Sequence, residues 1–307
     1  MRCFVFPGQG SQLPEMGSTF VGSPAWTLVE EASDAAGRDV AHLLLAADAD
    51  ELVQTRNAQL GTFVHSMVVL SALRFDGVDA EIVAGHSLGE LSALCAAGVL
   101  TFPDAVRLVS ARGDAMQACT TTRTGTMAAV LGLDDDAVAA VCERVDDDVW
   151  VANANAPGQV VIAGDPAAVE RAGNDAKDAG ARRIMALDVS GAFHTPFMAP
   201  AGEALAAAIA ETTFHDAAVP VVANVDAAVH AAATEWPGLL ERQLTSPVRW
   251  AASVQTLVDQ GADSFVEVGP GAVLTGTIKR IDRSSQRHSA MTPDEVAAVV
   301  AAAGATA

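Results

Sequence analysis

Residues 81–97 read EIVAGHSLGELSALCAA, and the order of elements in this stretch decides the fold. Glu81 to Ala84 has the apolar character of a buried strand, Gly85-His86-Ser87-Leu88-Gly89 is a G-x-S-x-G turn, and Leu88 to about Ala97 has a helical pattern. Strand, turn and helix in that order are the setting in which G-x-S-x-G acts as a nucleophile elbow. The glycines allow the sharp turn and the serine is lifted clear of the sheet. The first N–H groups of the helix then face any negative charge that develops beside it. The bare motif recurs by chance as an incidental turn; the flanking strand and helix separate the two readings.

The same alternation extends in both directions. Cys3 to Phe6 predicts an opening strand, stopped by the loop Pro7-Gly8-Gln9-Gly10, whose glycines let backbone approach a ligand. Helices are expected from Ala25 to Ala36, from Asn57 to Leu73, and from the start Thr101-Phe102-Pro103-Asp104, where Pro is tolerated in the first turn. From Gly125 to Ser190 the rhythm changes. Strands at Thr126–Gly132, Val149–Asn153, Gln159–Ala163 and Arg183–Val189 alternate with helices at Asp134–Val145 and Asp165–Ala179. That βαββαβ order is the split unit of a small ferredoxin-like domain. Beyond it come strands at Val219–Asn224 and Ser264–Val268, a helix at Ser253–Gln260, and a tail helix starting at Thr292-Pro293-Asp294-Glu295. The expected class is α/β: a parallel sheet covered on both faces, formed by residues 1–124 and 191–307, with residues 125–190 inserted as the small subdomain.

The 307 residues carry a net charge of −20, with half of them hydrophobic and only two lysines, Lys177 and Lys279. That charge would repel nucleic acid and anionic membranes, so neither is an expected partner. The apolar runs are broken by Gly, Asp or His and fall short of a membrane span. The N-terminus reads as a strand rather than a signal peptide, which makes the cytoplasm the default location. Cys3, Cys95, Cys119 and Cys142 are scattered, without CxxC pairs or histidine neighbours, as buried reduced thiols would be. The runs Asp134–Asp136 and Asp146–Asp148 lack the spacing of a metal loop and read as solvated helix ends. Gln9-Gly10-Ser11-Gln12 has neither Gly-Lys-Ser/Thr nor G-x-G-x-x-G, so it is expected to line the serine site rather than to cradle a nucleotide.

A serine nucleophile needs a base. Of seven histidines, His42, His65, His215, His230 and His288 read as ordinary helix or surface residues, and His86 adjoins the serine in a turn that points their side chains apart. His194 stands in Gly191-Ala192-Phe193-His194-Thr195-Pro196-Phe197-Met198, a Gly/Pro-bounded loop at the seam between the two expected subdomains. Paired with an elbow serine it is the favoured base; alone it could equally be a packed histidine. Arg112 interrupts an apolar stripe of Ala105, Leu108, Val109 and Met116 on one helix face. A buried guanidinium needs an anion, and its planar fork suits a carboxylate. That carboxylate could belong to a substrate or to a structural Asp or Glu, or the arginine could reach solvent.

Taken together, FVFPGQGSQ at the start, GHSLGE with Arg112 twenty-five residues after the serine, NAPGQVVIAG, GAFHTPFM, RQLTSPVRW and EVGPGAVLTG resemble the malonyl-CoA:acyl carrier protein transacylase family, which includes the acyltransferase domains of polyketide synthases. The resemblance spans nearly the whole chain in order. It implies an α/β-hydrolase-like large subdomain holding the ferredoxin-like insertion, with Ser87 as acylated nucleophile and His194 as its general base. It further implies that Gln9 and Leu88 give backbone N–H groups to an oxyanion hole and that Arg112 holds the free carboxylate of malonate. Gln243 would orient the histidine through its backbone carbonyl, which accounts for the lack of a third acidic residue. Phe193, before His194, resembles the residue of acyltransferases that choose malonyl over methylmalonyl. Thr245-Ser246-Pro247 departs from the commoner Tyr-Asn-Pro of the fatty-acid enzymes.

What this implies is a ping-pong transfer of malonyl from malonyl-CoA to the phosphopantetheine thiol of an acyl carrier protein. No metal and no bound cofactor are expected, the coenzyme A thioester being a substrate. The rival reading is a serine thioesterase or esterase, which would have no use for a buried cation in its acyl pocket. Family carriers are acidic, so docking on so acidic an enzyme calls for a local basic patch. The candidates are Lys279, Arg280 and Arg283 on one helix and the pair Arg182-Arg183, against the alternative that these are solvated charges offsetting nearby acids.

Overall fold

The computed structural model describes residues 1–189 and 191–304; the expected boundary at residue 190 and the last three residues of the chain lie outside them. Among the described residues ten strands form two sheets. They are β1 (Arg2–Phe6), β2 (Ile82–Gly85), β3 (Thr126–Leu131), β4 (Val149–Ala156), β5 (Gln159–Gly164), β6 (Arg183–Ala186), β7 (Val221–Val222), β8 (Val229–His230), β9 (Ser264–Val268) and β10 (Gln286–Ala290). The larger sheet has the order β10-β9-β1-β2-β7-β8 and is parallel except for β8, which returns antiparallel to β7. The smaller sheet, β4-β5-β3-β6, is antiparallel throughout.

Strand β1 shows why the larger sheet lies inside the protein. Its alternate residues serve two separate cores: Phe4 and Phe6 pack into the main apolar cluster, while Cys3 and Val5 pack with Trp250, Leu257 and Ile278 on the opposite face. A strand buried on both faces reads as a continuous apolar run, as RCFVF and IVAG do. The helices Trp250–Asp259 and Val273–Ile281 cover the second face, and the long helices Thr55–Phe75 and Phe102–Thr122 build the first. The smaller sheet divides its side chains the same way. Ala128 and Val130 of β3 face the helices Asp135–Arg144 and Pro166–Asp178, and Met127 and Ala129 join the main core. Its strand β4 is tied to the rest of the chain by backbone bonds Ala154 N–H to Val248 O and Val248 N–H to Ala152 O, both 2.9 Å.

The structure departs from the sequence reading where the pattern is weakest. The expected strand at 219–224 shrinks to Val221–Val222, because Ala223 already bonds to Ala228 O and turns the chain. The last strand of the small sheet ends at Ala186 rather than Val189. Strand β4 runs on to Ala156, its register shifting after Val151 and after Ala154. Strand β10 is an edge strand of polar residues, QRHSA, with no apolar run to announce it. Helices at Gly202–Ala210 and Trp236–Thr245 were not anticipated, although Trp236, Leu239, Leu240 and Leu244 recur at helical spacing behind Pro237. Cys3, Cys119 and Cys142 are buried free thiols and Cys95 is half-buried. Among the described residues no helix is long and apolar enough to cross a membrane.

Candidate active site

The elbow is built by backbone packed too closely for any side chain but hydrogen. A Cβ on Gly85 would lie 1.9 Å from Gly89 O, and one on Gly89 would lie 2.0 Å from Phe6 O. A Cβ on Gly8 would lie 2.5 Å from His86 O, so the Pro7–Gly10 loop is pressed directly against the turn. Ser87 takes φ 54° and ψ −108° and is the N-cap of the helix Leu88–Ala96. This is a conformation that a residue with a side chain adopts only when its surroundings hold it there.

His194 comes to this serine from the far end of the small sheet. Its Nε2 lies 2.7 Å from Ser87 Oγ and its Nδ1 lies 2.9 Å from Gln243 O. A carbonyl can only accept, so Nδ1 carries the proton and Nε2 is the free acceptor facing the serine hydroxyl. The loop is fixed on several sides. Thr195 Oγ1 donates to Ala192 O and accepts Phe197 N–H. Phe197 packs edge-on against Trp150 of β4 and carries the Arg123 guanidinium 3.4 Å above its ring. His194 is itself at φ 61° and buried. Burial, with the Arg112 cation second and His86 contributing, lowers its pKa to about 3, against a backbone bond from Gln243 that raises it. At neutral pH it is therefore the neutral imidazole that a base must be.

Arg112 is 2% exposed, and no carboxylate forms an ion pair with it among the described residues. Instead it donates to neutral oxygens: Gln59 Oε1 at 2.7 Å, Gln243 Oε1 at 2.9 Å and Ser87 Oγ at 3.2 Å. Burial lowers its pKa to about 10, opposed by the charge of Glu90, so it remains a cation at neutral pH. Of the alternatives open at the sequence level, exposure to solvent and a direct structural ion pair are both absent from this geometry.

Ser87, His194, Gln9, Phe193 and Met116 line one cavity of about 490 Å³. In the elbow, the amides of His86, Ser87, Gly89 and Glu90 each have an acceptor: Phe6 O, Asn224 Oδ1, His86 O and Ser87 O. The first N–H of a helix has no acceptor within it, and none is present for Leu88 among the described residues. The arrangement supplies a hydroxyl on a neutral base, an unengaged amide at a helix N-terminus and a fixed cation within reach of the same hydroxyl. That set can acylate the serine with an acyl group that carries a negative charge.

His86 is placed as the turn geometry implied, away from Ser87: its Nε2 meets Asn155 Oδ1 at 2.8 Å and its ring meets Trp250 edge-on. The basic candidates are regrouped. The helix ends at Ile281, where Asp282 turns to extended backbone, so Arg283 is not on it as expected. Arg280, with Arg182 and Arg183, lines a second cavity of about 460 Å³, whereas Lys279 and Arg283 are exposed outside it. Arg280 also donates to Gln159 Oε1 at 2.6 Å and Pro157 O at 2.9 Å, so it bridges to the β4–β5 turn rather than standing free. Gln159 is shared with the serine cavity. Sequence reading did not single out Gln59, Glu90, Asn155 or Asn224. Gln59 lies on a helix that also buries Asn57, Thr62, His65 and Ser66, so its polarity alone did not mark it. Among the described residues there is no group of three or more His, Cys, Asp or Glu that could hold a metal ion.

Over residues 3–302 the chain matches a family model described as an acyl transferase domain. It is 43% identical over 304 residues to the malonyl CoA-acyl carrier protein transacylase of Escherichia coli, covering 97% of this chain and 98% of that one. To the malonyl CoA-acyl carrier protein transacylase of Bacillus subtilis it is 40% identical over 298 residues, covering 95% and 94%. It also superposes, with a TM-score of 0.94 and 37% identity over 98% of this chain and 99% of the other, on a solved structure of a malonyl-transacylase in complex with a type II polyketide synthase acyl-carrier protein.

The pH profile of acyl transfer reports the protonation state of His194. With His194 neutral down to about 3, kcat/KM for acylation is expected to hold level on the acid side to about pH 5, because kcat/KM reports the free enzyme's groups. A decline centred on the ordinary histidine value of 6.5 would show that His194 is not held in this environment.

Proposed function

The chain belongs to the acyl transferase family, and on that footing we propose that Ser87 is the nucleophile and His194 the base of a malonyl transfer anchored by Arg112. The reaction moves a malonyl group from malonyl-CoA to the phosphopantetheine thiol of an acyl carrier protein, in fatty-acid or polyketide synthesis. The observation that carries the malonyl reading is the buried guanidinium of Arg112, 3.2 Å from Ser87 Oγ and bonded to neutral oxygens. A thioesterase or esterase using the same Ser-His pair would gain nothing from a cation desolvated at that position.

In the first half-reaction Ser87 Oγ attacks the thioester carbonyl while His194 Nε2 takes its proton. The carbonyl oxygen becomes an oxyanion, for which the Leu88 and Gln9 N–H groups are the assigned donors. Collapse breaks the carbon–sulfur bond, the sulfur leaves with the proton from His194, and a malonyl-serine ester remains. In the second half the carrier thiol gives its proton to His194 and attacks the ester, and Ser87 leaves with that proton. Gln243 keeps the imidazole in the tautomer these steps need. Throughout, Arg112 pairs with the malonyl carboxylate. Phe193 limits space at the α-carbon, a discrimination worth about 1–3 kcal/mol for one methyl group. The residues use coenzyme A as part of a substrate and need no resident cofactor, and the cytoplasm is the compartment we assign. The catalytic unit is residues 1–124 with 191–307, and residues 125–190 form the inserted ferredoxin-like subdomain.

We assign carrier docking to the basic side chains around the cleft. Arg182 and Arg183 have no carboxylate partner among the described residues and share a cavity with Arg280, in a protein of net charge −20. Lys279, on the helix Val273–Ile281, and Arg283, two residues beyond its end, add exposed positive charge outside that cavity.

Arg112→Ala is expected to reduce kcat/KM for malonyl-CoA by a factor corresponding to about 3–5 kcal/mol, the usual cost of breaking a buried charge pair, while acetyl transfer is retained or improved. Equal losses for malonyl-CoA and acetyl-CoA would make Arg112 structural. For docking, Arg182→Glu with Arg183→Glu, and separately Lys279→Glu with Arg283→Glu, should raise KM for the carrier and leave self-acylation by malonyl-CoA intact, since that half-reaction never meets the carrier. An unchanged carrier KM in both pairs at low salt would place docking elsewhere.

A further inference from the structure

The strained backbone at Ser87 is gripped by a residue outside the serine, histidine and arginine set. Asn224 Oδ1 accepts the Ser87 N–H at 2.7 Å, and Asn224 Nδ2 donates to Gly85 O at 2.7 Å. The two bonds straddle His86 and hold the chain on the strand side of the serine. On the other side, Gln243 Nε2 donates to Ser87 O at 3.0 Å. Asn224 is completely buried, and both of its own backbone groups are engaged. Its N–H donates to Glu90 Oε2 at 2.6 Å and its carbonyl accepts the Arg249 N–H at 3.0 Å. Glu90 lies in the first turn of the helix that Ser87 caps and is likewise fully buried. The path from elbow to Asn224 to Glu90 thus returns to the elbow, and each end holds the other.

We propose that Asn224 is a positioning residue for the nucleophile, locking the elbow so that the Ser87 hydroxyl meets His194 and the Leu88 amide faces the cavity, and that Glu90 is its support. The inference rests on Ser87 being the acylated residue. The logic is one of competition between donors. By occupying the Ser87 N–H, Asn224 leaves the Leu88 N–H as the one elbow amide, from His86 to Glu90, without an acceptor among the described residues. Losing the clamp would free a second amide and let Ser87 relax toward an unstrained φ, which swings its hydroxyl away from Nε2. Such a displacement changes the rate of bond formation far more than it changes substrate binding, because Arg112 is held by Gln59 and Gln243 and not by Asn224. Burial raises the Glu90 carboxyl to about 7, while the Asn224 N–H and the nearby Arg112 lower it. Either protonation state leaves an oxygen that accepts from Asn224.

The test is malonyl transfer from malonyl-CoA to saturating carrier, followed as kcat and KM for malonyl-CoA, in the parent protein, in Asn224→Asp and Asn224→Ala, and in Glu90→Gln and Glu90→Ala. Asn224→Asp keeps the acceptor for Ser87 and loses the amide donor to Gly85; Asn224→Ala loses both. Both should lower kcat, the Ala variant by roughly a hundredfold and the Asp variant by less, with KM for malonyl-CoA within about threefold of the parent. Glu90→Gln, which still offers an oxygen to Asn224, should restore most of the rate that Glu90→Ala loses. A folded Asn224 variant whose kcat stays within about threefold of the parent would overturn the proposal, as would a KM that rises as steeply as kcat falls. If Asn224→Ala does not fold, Asn224→Asp decides by the same criteria. A parent protein that is not acylated at all would sink the assignment of Ser87 and this inference together.

Discussion

The centre of the molecule is a guanidinium taken out of water beside a serine and given only neutral oxygens to bond. Desolvating a cation is unfavourable unless something repays it, and around Arg112 the repayment is deliberately incomplete. Gln59 and Gln243 fix its plane, Ser87 Oγ takes a longer bond, and Glu90 acts at a distance without touching it. A carboxylate in direct contact would stabilise the free protein and close the site to a charged acyl group. The same cation also acts on its neighbour. It is the second contribution, after burial, to keeping His194 neutral. The cation that reaches the Ser87 hydroxyl is therefore also one that keeps the neighbouring imidazole neutral, and changing it alters the surroundings of both.

The rest of the fold delivers two other groups to that charge. Ser87 comes from the centre of the parallel sheet, where β1 and β2 are buried on both faces and the elbow glycines let Phe6 and the following helix meet without a gap. His194 comes from the chain returning out of the antiparallel sheet. Its position depends on Phe197 held by Trp150 and Arg123, and on Gly125, whose Cβ would lie 2.6 Å from Ala192 N. Ser87 and His194 thus reach the cavity from the ends of different sheets. Backbone bonds of β4 to Val248 and the Arg280 bridge to the β4–β5 turn tie the smaller sheet to segments that cover the larger one.

Much of this was legible in the sequence, and for local reasons. The strand, turn and helix around Ser87 are contiguous, so their pattern is complete within residues 81–97. Arg112 announced itself by breaking an apolar stripe on its own helix. His194 was legible only as a partner, since nothing in its loop distinguishes a base from a packed histidine. Gln243 has no side-chain signature for the task that the resemblance gave it, because its contact with His194 Nδ1 is made by the backbone carbonyl. Asn224 and Glu90 were missed because their roles are made by contacts 134 to 139 residues apart in the chain. The same holds for β10, a polar strand that exists because β9 offers it a parallel edge. The arginines proposed for docking were named by charge alone. Which of them share a surface is a matter of how the two sheets meet, and the sequence carried no sign that Arg280 would turn from Lys279 toward Arg182 and Arg183.

The most direct measurement of the account is the intact mass of the protein after mixing with malonyl-CoA in the absence of carrier. The parent protein should gain the mass of a single malonyl group, lose it when carrier with a free phosphopantetheine thiol is added, and gain nothing when Ser87 is replaced by alanine. A Ser87→Ala protein that still takes up malonyl, or a parent that turns over malonyl-CoA without ever holding the acyl group, would contradict it.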